Sequence, residues 1–382
     1  MSFNLLFSPL TVGSLKLGNR IVMAPVRETL ASDEGTVTTA FTDYYLRRAQ
    51  GGAALIIIGA VAVYPRLMPL NLMISNDQYV PGLKRFVDDI HQKSDAKVCA
   101  QLFQLMKMAR GWIQDVQEVT ADQIGKAILS FQDGAVRARE AGFDAIEMHA
   151  AHGYILAEFL SLRNKRTDGY GNHPEGRMAL ITQVYERIRA AAGADYPVGV
   201  RIDGDEFIVG GNSLKQSTLI AVKLARMGVD YISISAGGKF HDSPGTTPSG
   251  VPFSYPPVSG YSGFRAMPAG HMPEGVNVYL AAEIKAALVR EGLTTPVMTA
   301  GRISNPQFAE GVLKDGKADL IGLCRPLIRD PEWPAKVRED RIKAIKKCEF
   351  CNECTESIRN DRPAYCKHDP LAIRVTEPAP AV

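Results

Sequence analysis

Four of the six cysteines lie in one short stretch near the end of the sequence, "CEFCNECTESIRNDRPAYC". Two C-x2-C steps followed by a more distant cysteine can wrap a short segment of chain around one metal centre. The spacing fits a structural zinc ion or a 4Fe-4S cluster, because four cysteine thiolates can bind either centre and both centres are tetrahedral in sulfur. The sequence therefore predicts a metal-binding extension over residues 341–382, with both kinds of centre open. Its ligands are Cys348, Cys351, Cys354 and Cys366.

A second chemical group follows the apolar run at 145–151, where "HAAHGY" contains His149, His152 and Tyr154. Two neutral imidazoles can donate hydrogen bonds to a substrate oxygen that becomes negative, and a phenol can deliver a proton. Two histidines at this spacing can also bind metal, although no nearby carboxylate completes a recognisable ligand set. They can equally be satisfied polar residues that close a strand, so the motif alone leaves the alternatives open.

Further polar residues follow other apolar runs. Gln101 ends the third run, and its amide both donates and accepts, as the edge of a flat heterocycle requires. Arg201 ends the fifth run, where a cation can bind a ligand or form a salt bridge with Asp203 or Asp205. The seventh and eighth runs are followed by a glycine and two arginines that could bind a phosphate. These are Gly301, Arg302 and Arg325.

Eight apolar, β-branched runs must position these residues, and segments of helical period lie between most of them. Their continuous hydrophobicity is typical of strands buried on both faces of a parallel sheet. Eight strands alternating with helices predict an α/β fold, a (β/α)8 TIM barrel over residues 1–340, with a doubly wound sheet as the main alternative. In such a barrel the polar residues after the strands meet at one mouth. The runs are 20–26, 54–64, 97–103, 145–151, 197–202, 231–235, 296–301 and 318–324.

The longest loop of this arrangement, roughly 237–276, is rich in Gly, Pro, Ser and Tyr and contains His241 and His271. A loop of this length inside a compact domain predicts a lid or a binding loop. Cys99 and Cys324 stand alone in apolar stretches, which predicts small buried hydrophobic side chains.

The bulk composition excludes several classes of protein. Of 382 residues, 46% are hydrophobic, and 44 basic against 41 acidic side chains leave a net charge of +3. Such a balance does not indicate nucleic acid or an acidic membrane as a partner. We find no signal peptide, and no apolar run approaches the ~18 residues of a membrane span. We expect a cytoplasmic protein, where clustered cysteines favour metal over disulfide.

Five segments of the sequence resemble the old yellow enzyme family of FMN-dependent ene-reductases, over nearly all of residues 3–335. They are "LFSPLTVGSLKLGNRIVMAPV", "AQLFQ", "AIEMHAAHGYILAEFLSLRNKRTDGYGNHPEGR", "VGVRID" and "ADLIGLCRPLIRDP". The resemblance implies that His149 and His152 anchor a substrate carbonyl and that Tyr154 is the proton donor. It also implies that the isoalloxazine ring contacts Pro25, Ala60, Gln101 and Arg201, and that the phosphate binds at Gly301, Arg302 and Arg325.

Two features depart from simple members of that family. Arg27 stands two residues beyond Pro25, where relatives carry Thr, Cys or His; a cation there could stabilise anionic reduced flavin or hold a substrate carboxylate. The cysteine tail resembles the iron–sulfur branch, which includes 2,4-dienoyl-CoA reductases, clostridial enoate reductases and trimethylamine dehydrogenase. That likeness implies a 4Fe-4S cluster, although the gap between Cys351 and Cys354 is one residue shorter than usual. In those relatives a dinucleotide-binding half follows, and no GxGxxG after a strand occurs here.

The resemblance implies an FMN-dependent ene-reductase that transfers hydride to the activated C=C bond of an α,β-unsaturated carbonyl, acid or thioester. Electrons would come from NAD(P)H or from a separate electron-donor protein through the cluster. Two alternatives stay open: an FMN/iron–sulfur dehydrogenase that oxidises an amine or a saturated ring, and an electron-carrier subunit without a substrate of its own. The sequence leaves the substrate and the oligomeric state undetermined.

Overall fold

A closed barrel of parallel strands forms the centre of the molecule in a computed structural model, which describes residues 3–65, 68–105, 115–238 and 262–369. All eight predicted strands are present, and a short antiparallel hairpin precedes them. The hairpin strands are β1 (Leu10–Val12) and β2 (Leu15–Leu17). The barrel strands are β3 (Ile21–Met23), β4 (Leu55–Ala62), β5 (Lys97–Phe103), β6 (Ala145–Ala150), β7 (Val198–Asp203), β8 (Tyr231–Ser235), β9 (Val297–Ala300) and β10 (Leu320–Leu323).

The strands pair in chain order, and β10 closes the ring by pairing with β3 through Ile321 and Ile21. Every pairing within the barrel is parallel. A doubly wound sheet keeps two free edges, so the closed ring confirms the (β/α)8 prediction and excludes the alternative. Nearly every strand residue is buried, which explains why the runs lack a polar alternation.

Helices connect the strands on the outside of the barrel. Local sequence fixes their ends: Thr120 and Gln123 form a capping box at the start of the third helix, and Gly228 ends the sixth in a left-handed conformation. The helices are α1 (Thr39–Gln50), α2 (Val80–Lys93), α3 (Ala121–Glu140), α4 (Ile155–Leu160), α5 (Pro174–Ala192), α6 (Leu214–Met227), α7 (Val278–Arg290), α8 (Pro306–Lys314), α9 (Arg325–Arg329), α10 (Trp333–Arg338) and α11 (Glu353–Arg359). Within the ranges that the structure describes, none of them has the length and apolarity needed to cross a membrane.

The hairpin β1–β2 closes the end of the barrel from which the strands start. Val12, Leu15 and Leu17 pack against inward side chains of the barrel, including the fully buried Cys99, which confirms the buried position predicted for that thiol. The N-terminal end of the barrel is therefore apolar. The polar residues lie at the C-terminal ends of the strands, on the opposite side.

The C-terminal extension returns to that polar end of the barrel. The backbone N–H of Ala364 donates to the carbonyl of Glu28, just after β3, and Gly270 donates to the carbonyl of Phe350. The extension is thus packed onto the loops that follow the strands. His271 is exposed, whereas His241 and the middle of the predicted lid lie outside the described residues.

Candidate active site

Strand alternation divides the barrel mouth into a polar side and a side of small residues. On β9, β10 and the residue after β3, the inward positions are Ala300, Gly322 and Ala24. A Cβ built on Gly322 would lie 3.2 Å from the Ala300 Cβ and 3.4 Å from the Ala24 Cβ, so these three positions face one another. Side chains that end at or before Cβ leave space for the face of a flat ring. The donors must then come from the other strands.

Strands β5 to β8 supply those donors. The Gln101 amide donates to Glu147 Oε1 over 2.7 Å. Arg201 donates to Ser233 Oγ over 2.8 Å and to Ser235 Oγ over 3.1 Å. The Arg201 Nε is buried and has no hydrogen-bond partner among the described residues. Buried donors are normally paired, so this N–H is available to a bound ligand. Both residues predicted to bind the isoalloxazine ring are therefore held by neighbouring strands at one mouth.

Glu147 is the acid beneath these two residues. Its side chain is completely buried inside the barrel. Burial raises the pKa of its carboxyl, and the nearby Arg201 guanidinium opposes that rise. The sequence analysis did not single out Glu147, although a charge inside the apolar run "AIEMHA" was the available signal.

The histidine pair owes its arrangement to a turn directly after β6. His152 has a φ of +65°, which turns the chain out of the strand, and its backbone N–H donates to Asp203 Oδ2 over 2.7 Å. The two imidazole centroids lie 5.0 Å apart, and the Tyr154 ring lies 4.7 Å from that of His149. Strand alternation alone would separate these residues, whereas the turn brings all three predicted catalytic side chains into one cluster.

Burial sets the protonation states of this cluster. It lowers the pKa of His149 well below the ordinary 6.5 and lowers the pKa of His152 to about 3, with the Arg201 charge adding to both effects. Burial raises the pKa of Tyr154, and the charge of Arg27 opposes that rise. Near neutral pH the site therefore offers two uncharged imidazoles and a protonated phenol. Such a set can bind a carbonyl oxygen and supply one proton.

Pro25 and Ala60, the other predicted ring contacts, lie on segments that touch. A β-bulge interrupts the pairing of β4 with β5 between Ile58 and Val61, and Ala60 has a φ of +31° there. A Cβ on Gly59 would lie 2.4 Å from the Val26 nitrogen, so only glycine allows this approach. The bulge thus brings the loop after β3 against β4 at the mouth.

Arg27 is held by the C-terminal extension. Its guanidinium forms a 2.9 Å ion pair with Asp361 and donates over 3.3 Å to the carbonyl of Ile358. The Arg27 Nε is buried without a hydrogen-bond partner among the described residues. Its charge also opposes the rise that burial causes in the pKa of Tyr154. The sequence indicated a cation beside the flavin, but not its link to the extension.

The three residues predicted to bind phosphate are also close to the extension. Gly301 has a φ of +119° and Arg302 a φ of +54° in the loop after β9. The guanidinium carbons of Arg302 and Arg325 lie 5.2 and 4.8 Å from the centroid of the Phe350 ring. Arg325 also donates over 2.5 Å to Asn352 Oδ1. Both arginines therefore contact the cysteine segment. A phosphate role for the three residues remains a prediction.

The four predicted cysteine ligands line one pocket, which Arg325 also lines. The backbone N–H of Phe350 donates to Cys348 Sγ over 3.4 Å. Within the described part of the chain, no three His, Cys, Asp or Glu side chains stand close enough together to hold one metal ion. The predicted metal-ligand set is gathered at one pocket, and its role as a metal site remains a prediction. They are Cys348, Cys351, Cys354 and Cys366.

Cys324 departs from the buried position predicted for it, because the residue is partly exposed. It lies directly after β10, where the strand ends and α9 begins. Burial of the sulfur raises the pKa of Cys324 to about 11 despite the nearby Arg325. A thiol with this pKa stays protonated near neutral pH.

The polar residues gather at the end of the barrel where (β/α)8 enzymes carry their active sites. The sequence comparisons identify the family. The chain belongs to the NADH:flavin oxidoreductase / NADH oxidase family, whose model matches residues 5–241 and 269–344. FMN is the cofactor of this family, so the resemblance found in the sequence is confirmed at the family level.

Individual relatives are similar over most of the chain. A NADH oxidase from Thermoanaerobacter brockii is 36% identical over 91% of this chain and 52% of its own length. An N,N-dimethylglycine/sarcosine dehydrogenase from Chromohalobacter salexigens is 30% identical over 93% of this chain and 51% of its own length. The structure of a 2-naphthoyl-CoA reductase superposes with a TM-score of 0.84 at 23% identity, covering 99% of this chain and 58% of that protein. The chain spans about half the length of these relatives.

Proposed function

We propose that the chain is the FMN-binding barrel of an ene-reductase that acts on a C=C bond conjugated to a carbonyl, acid or thioester. The observation that carries this proposal is the cluster of His149, His152 and Tyr154, all uncharged, in which the His149 ring contacts the other two. When bound, reduced FMN supplies the hydride that the β-carbon of such a substrate accepts.

The residues of the chain complete that reaction. The two imidazole N–H groups hold the carbonyl oxygen as negative charge develops on it, and loss of one such donor typically costs ~3 kcal/mol of transition-state stabilisation. Tyr154 gives its proton to the α-carbon, so that hydride and proton together saturate the double bond. Because both imidazoles are neutral, the phenol is the acid that supplies this proton.

The FMN site fits the residues at the mouth. Gln101 and Arg201 would bind the polar edge of the ring, next to Pro25 and Ala60. The unpaired Arg201 Nε and the small residues around Gly322 support this placement. The phosphate would bind after β9 and β10, at Gly301, Arg302 and Arg325.

Anaerobic stopped-flow spectroscopy tests the proposal. The FMN-loaded protein is reduced with dithionite and mixed separately with an enone, an enoate and an enoyl thioester. We expect at least one of them to reoxidise the flavin faster than buffer does. Failure of all three classes would overturn the proposed reaction.

A second candidate is oxidation of an amine, which the similarity to the N,N-dimethylglycine/sarcosine dehydrogenase supports. Arg27 provides a cation at the mouth that could hold the carboxylate of such an amino acid, although Asp361 already pairs with it. Mixing oxidised, FMN-loaded protein with N,N-dimethylglycine or sarcosine distinguishes the two candidates. Bleaching of the flavin by an amine, without reoxidation by any alkene, would favour this second function.

We further propose that the four cysteines of the extension bind a 4Fe-4S cluster. Each thiolate of such a cluster binds a different iron, so the sulfurs lie further apart than around one ion. Four thiols that line one pocket, in a segment that resembles the iron–sulfur branch of the family, support this proposal. Arg325, at the pocket wall, would balance part of the negative charge, and Phe350 N–H donates to Cys348 as cluster sulfurs require.

The cluster would lie beside the flavin site and could receive electrons from a separate donor protein; NAD(P)H at the flavin is the other source. Iron, sulfide and zinc analysis of anaerobically purified protein tests the cluster. We expect iron and sulfide, and loss of both in Cys351→Ser but not in Cys99→Ala, which changes a thiol at the N-terminal end of the barrel. About one zinc per chain without iron would refute the cluster.

A further inference from the structure

Ser235 lies between a predicted flavin-binding residue and a predicted substrate-binding residue. Its hydroxyl oxygen is 3.1 Å from Arg201 Nη2 and 2.6 Å from His152 Nε2. The residue is 3% exposed, so its hydroxyl depends mainly on protein hydrogen-bond partners. Sequence reasoning missed this residue, although alternating serines in the apolar run "YISIS" were a signal for inward polar positions.

The chemistry of the three groups fixes the direction of both hydrogen bonds. A guanidinium nitrogen can only donate, so the Ser235 oxygen accepts from Arg201. The hydroxyl proton then needs an acceptor, and within the described residues His152 Nε2 is the remaining hydrogen-bond partner of this oxygen. If Nε2 instead carried a proton, the buried hydroxyl proton would be left without an acceptor.

His152 is uncharged near neutral pH, because burial and Arg201 lower its pKa to about 3. An uncharged imidazole carries one proton, so an accepting Nε2 leaves that proton on Nδ1. His149 has the opposite arrangement: the backbone N–H of Ala151 donates to its Nδ1 over 3.4 Å, which leaves the proton on Nε2.

We infer that Ser235 is a positioning residue that holds His152 as the Nδ1–H tautomer, so that the two histidines present N–H groups from opposite ring nitrogens. The tautomer follows from the contacts alone. That these N–H groups bind a substrate oxygen rests on the proposed function. Asp203 does not compete for Nε2, because its Oδ1 lies 4.0 Å away and its Oδ2 accepts the His152 backbone N–H.

The tautomer can be read directly by long-range nitrogen–proton NMR on FMN-loaded protein labelled with ¹⁵N-histidine. His152→Asn assigns the signals by their disappearance. In the parent protein we expect a protonated Nδ1 and an unprotonated, hydrogen-bonded Nε2 for His152. In Ser235→Ala, Nε2 loses its donor, and the spectrum should show the other tautomer or a mixture. Ser235→Thr retains the hydroxyl and should restore the parent pattern.

Ser233→Ala is the matched control, since it removes the other hydroxyl that Arg201 contacts and leaves His152 untouched. Both alanine variants can weaken FMN binding, but only Ser235→Ala should change the His152 signals. A parent spectrum with Nε2 protonated, or identical spectra in parent and Ser235→Ala, would overturn the inference.

Reoxidation by a carbonyl-activated alkene gives a separate readout. If the proposed function holds, Ser235→Ala should slow it at least about twofold, towards the 10²–10³-fold that loss of an oxyanion donor costs. A changed tautomer in protein that reduces no alkene would refute the function and leave the inference intact. A tautomer that does not change in Ser235→Ala, in protein that reduces alkenes, would refute the inference and leave the proposed function intact.

Discussion

Tyr154 is positioned by aromatic contacts on two sides. Its ring lies 4.7 Å from the centroid of His149 and 5.1 Å from that of Phe103, both at steep angles. Burial keeps its pKa above the ordinary value, so the phenol holds its proton near neutral pH. Tyr154→Phe retains the ring contacts and should slow reoxidation of reduced flavin by an activated alkene by about 10²–10⁴-fold. Stopped-flow traces measure this rate.

Flavin reduction by dithionite should be nearly unchanged in Tyr154→Phe, because no proton from this phenol is then required. Tyr196→Phe, directly before β7 at the opposite end of the barrel, is the control for loss of a phenol away from the mouth. Equal reoxidation rates in parent and Tyr154→Phe would remove Tyr154 from the role of proton donor.

At the scale of elements, the loop after β8 packs directly against the turn that carries His152. A Cβ on Gly238 would lie 2.3 Å from the His152 Cα, a distance that backbone atoms cannot accommodate without moving. Gly238→Ala should displace His152 and weaken the binding of a carbonyl ligand while FMN remains bound. Ligand titration, followed in the flavin spectrum, measures the change.

Gly311→Ala is the matched control for Gly238→Ala. Gly311 lies in α8, and a Cβ there meets no atom within 4 Å. This change should leave ligand binding as it is and stabilise the helix by up to about 1 kcal/mol. Unaltered ligand affinity in Gly238→Ala would show that the turn tolerates displacement.

Phe350 joins the extension to the barrel, since its ring is 4% exposed between Arg302 and Arg325. Phe350→Ala should loosen the cysteine segment and lower the iron content of anaerobically purified protein. Buried Phe→Ala changes typically cost about 3–5 kcal/mol, and a cation–π contact contributes about 0.5–2 kcal/mol of such a total.

Phe350→Leu keeps apolar volume and removes the aromatic face, so it separates packing from the cation–π contacts. We expect its iron content to lie between those of the parent and Phe350→Ala. Hydrogen exchange over residues 348–360 should rise in the same order. Full iron content in Phe350→Ala would show that the ring does not support the cysteine segment.

The elements were predictable from sequence because parallel strands are continuous apolar runs, and all eight runs became barrel strands. The cluster of His149, His152 and Tyr154 was predictable because its members lie within six residues of one another in the chain. The hydrogen bonds that position these residues could not be predicted. Ser235 is 83 residues from His152 in the sequence, and Asp361 is 334 residues from Arg27. Such pairs depend on the register of neighbouring strands and on the return of the extension, neither of which leaves a local pattern.

At the scale of the whole molecule, Glu28 connects the barrel, an outer helix and the extension. The Tyr45 hydroxyl of α1 donates to its carboxylate over 2.8 Å, and Ala364 of the extension donates to its backbone carbonyl. The side chain is 2% exposed. Burial raises the pKa of Glu28 from 4.5 to about 7, while Tyr45 and the neighbouring Arg27 oppose the rise.

The raised pKa makes the free energy of unfolding depend on pH with a definite sign. Between pH 4.5 and 7, Glu28 is protonated in the folded protein and ionised in the unfolded chain, so the stability it contributes is lost as pH rises through this window. At roughly 1.4 kcal/mol per pKa unit, the loss is at most about 3.5 kcal/mol. Glu28→Gln does not titrate, so relative to the parent it should gain stability as pH rises from 5 to 8. Thermal unfolding of both proteins across this range measures the difference. A pH-independent difference between the parent and Glu28→Gln would mean that the carboxylate stays ionised where the three elements meet.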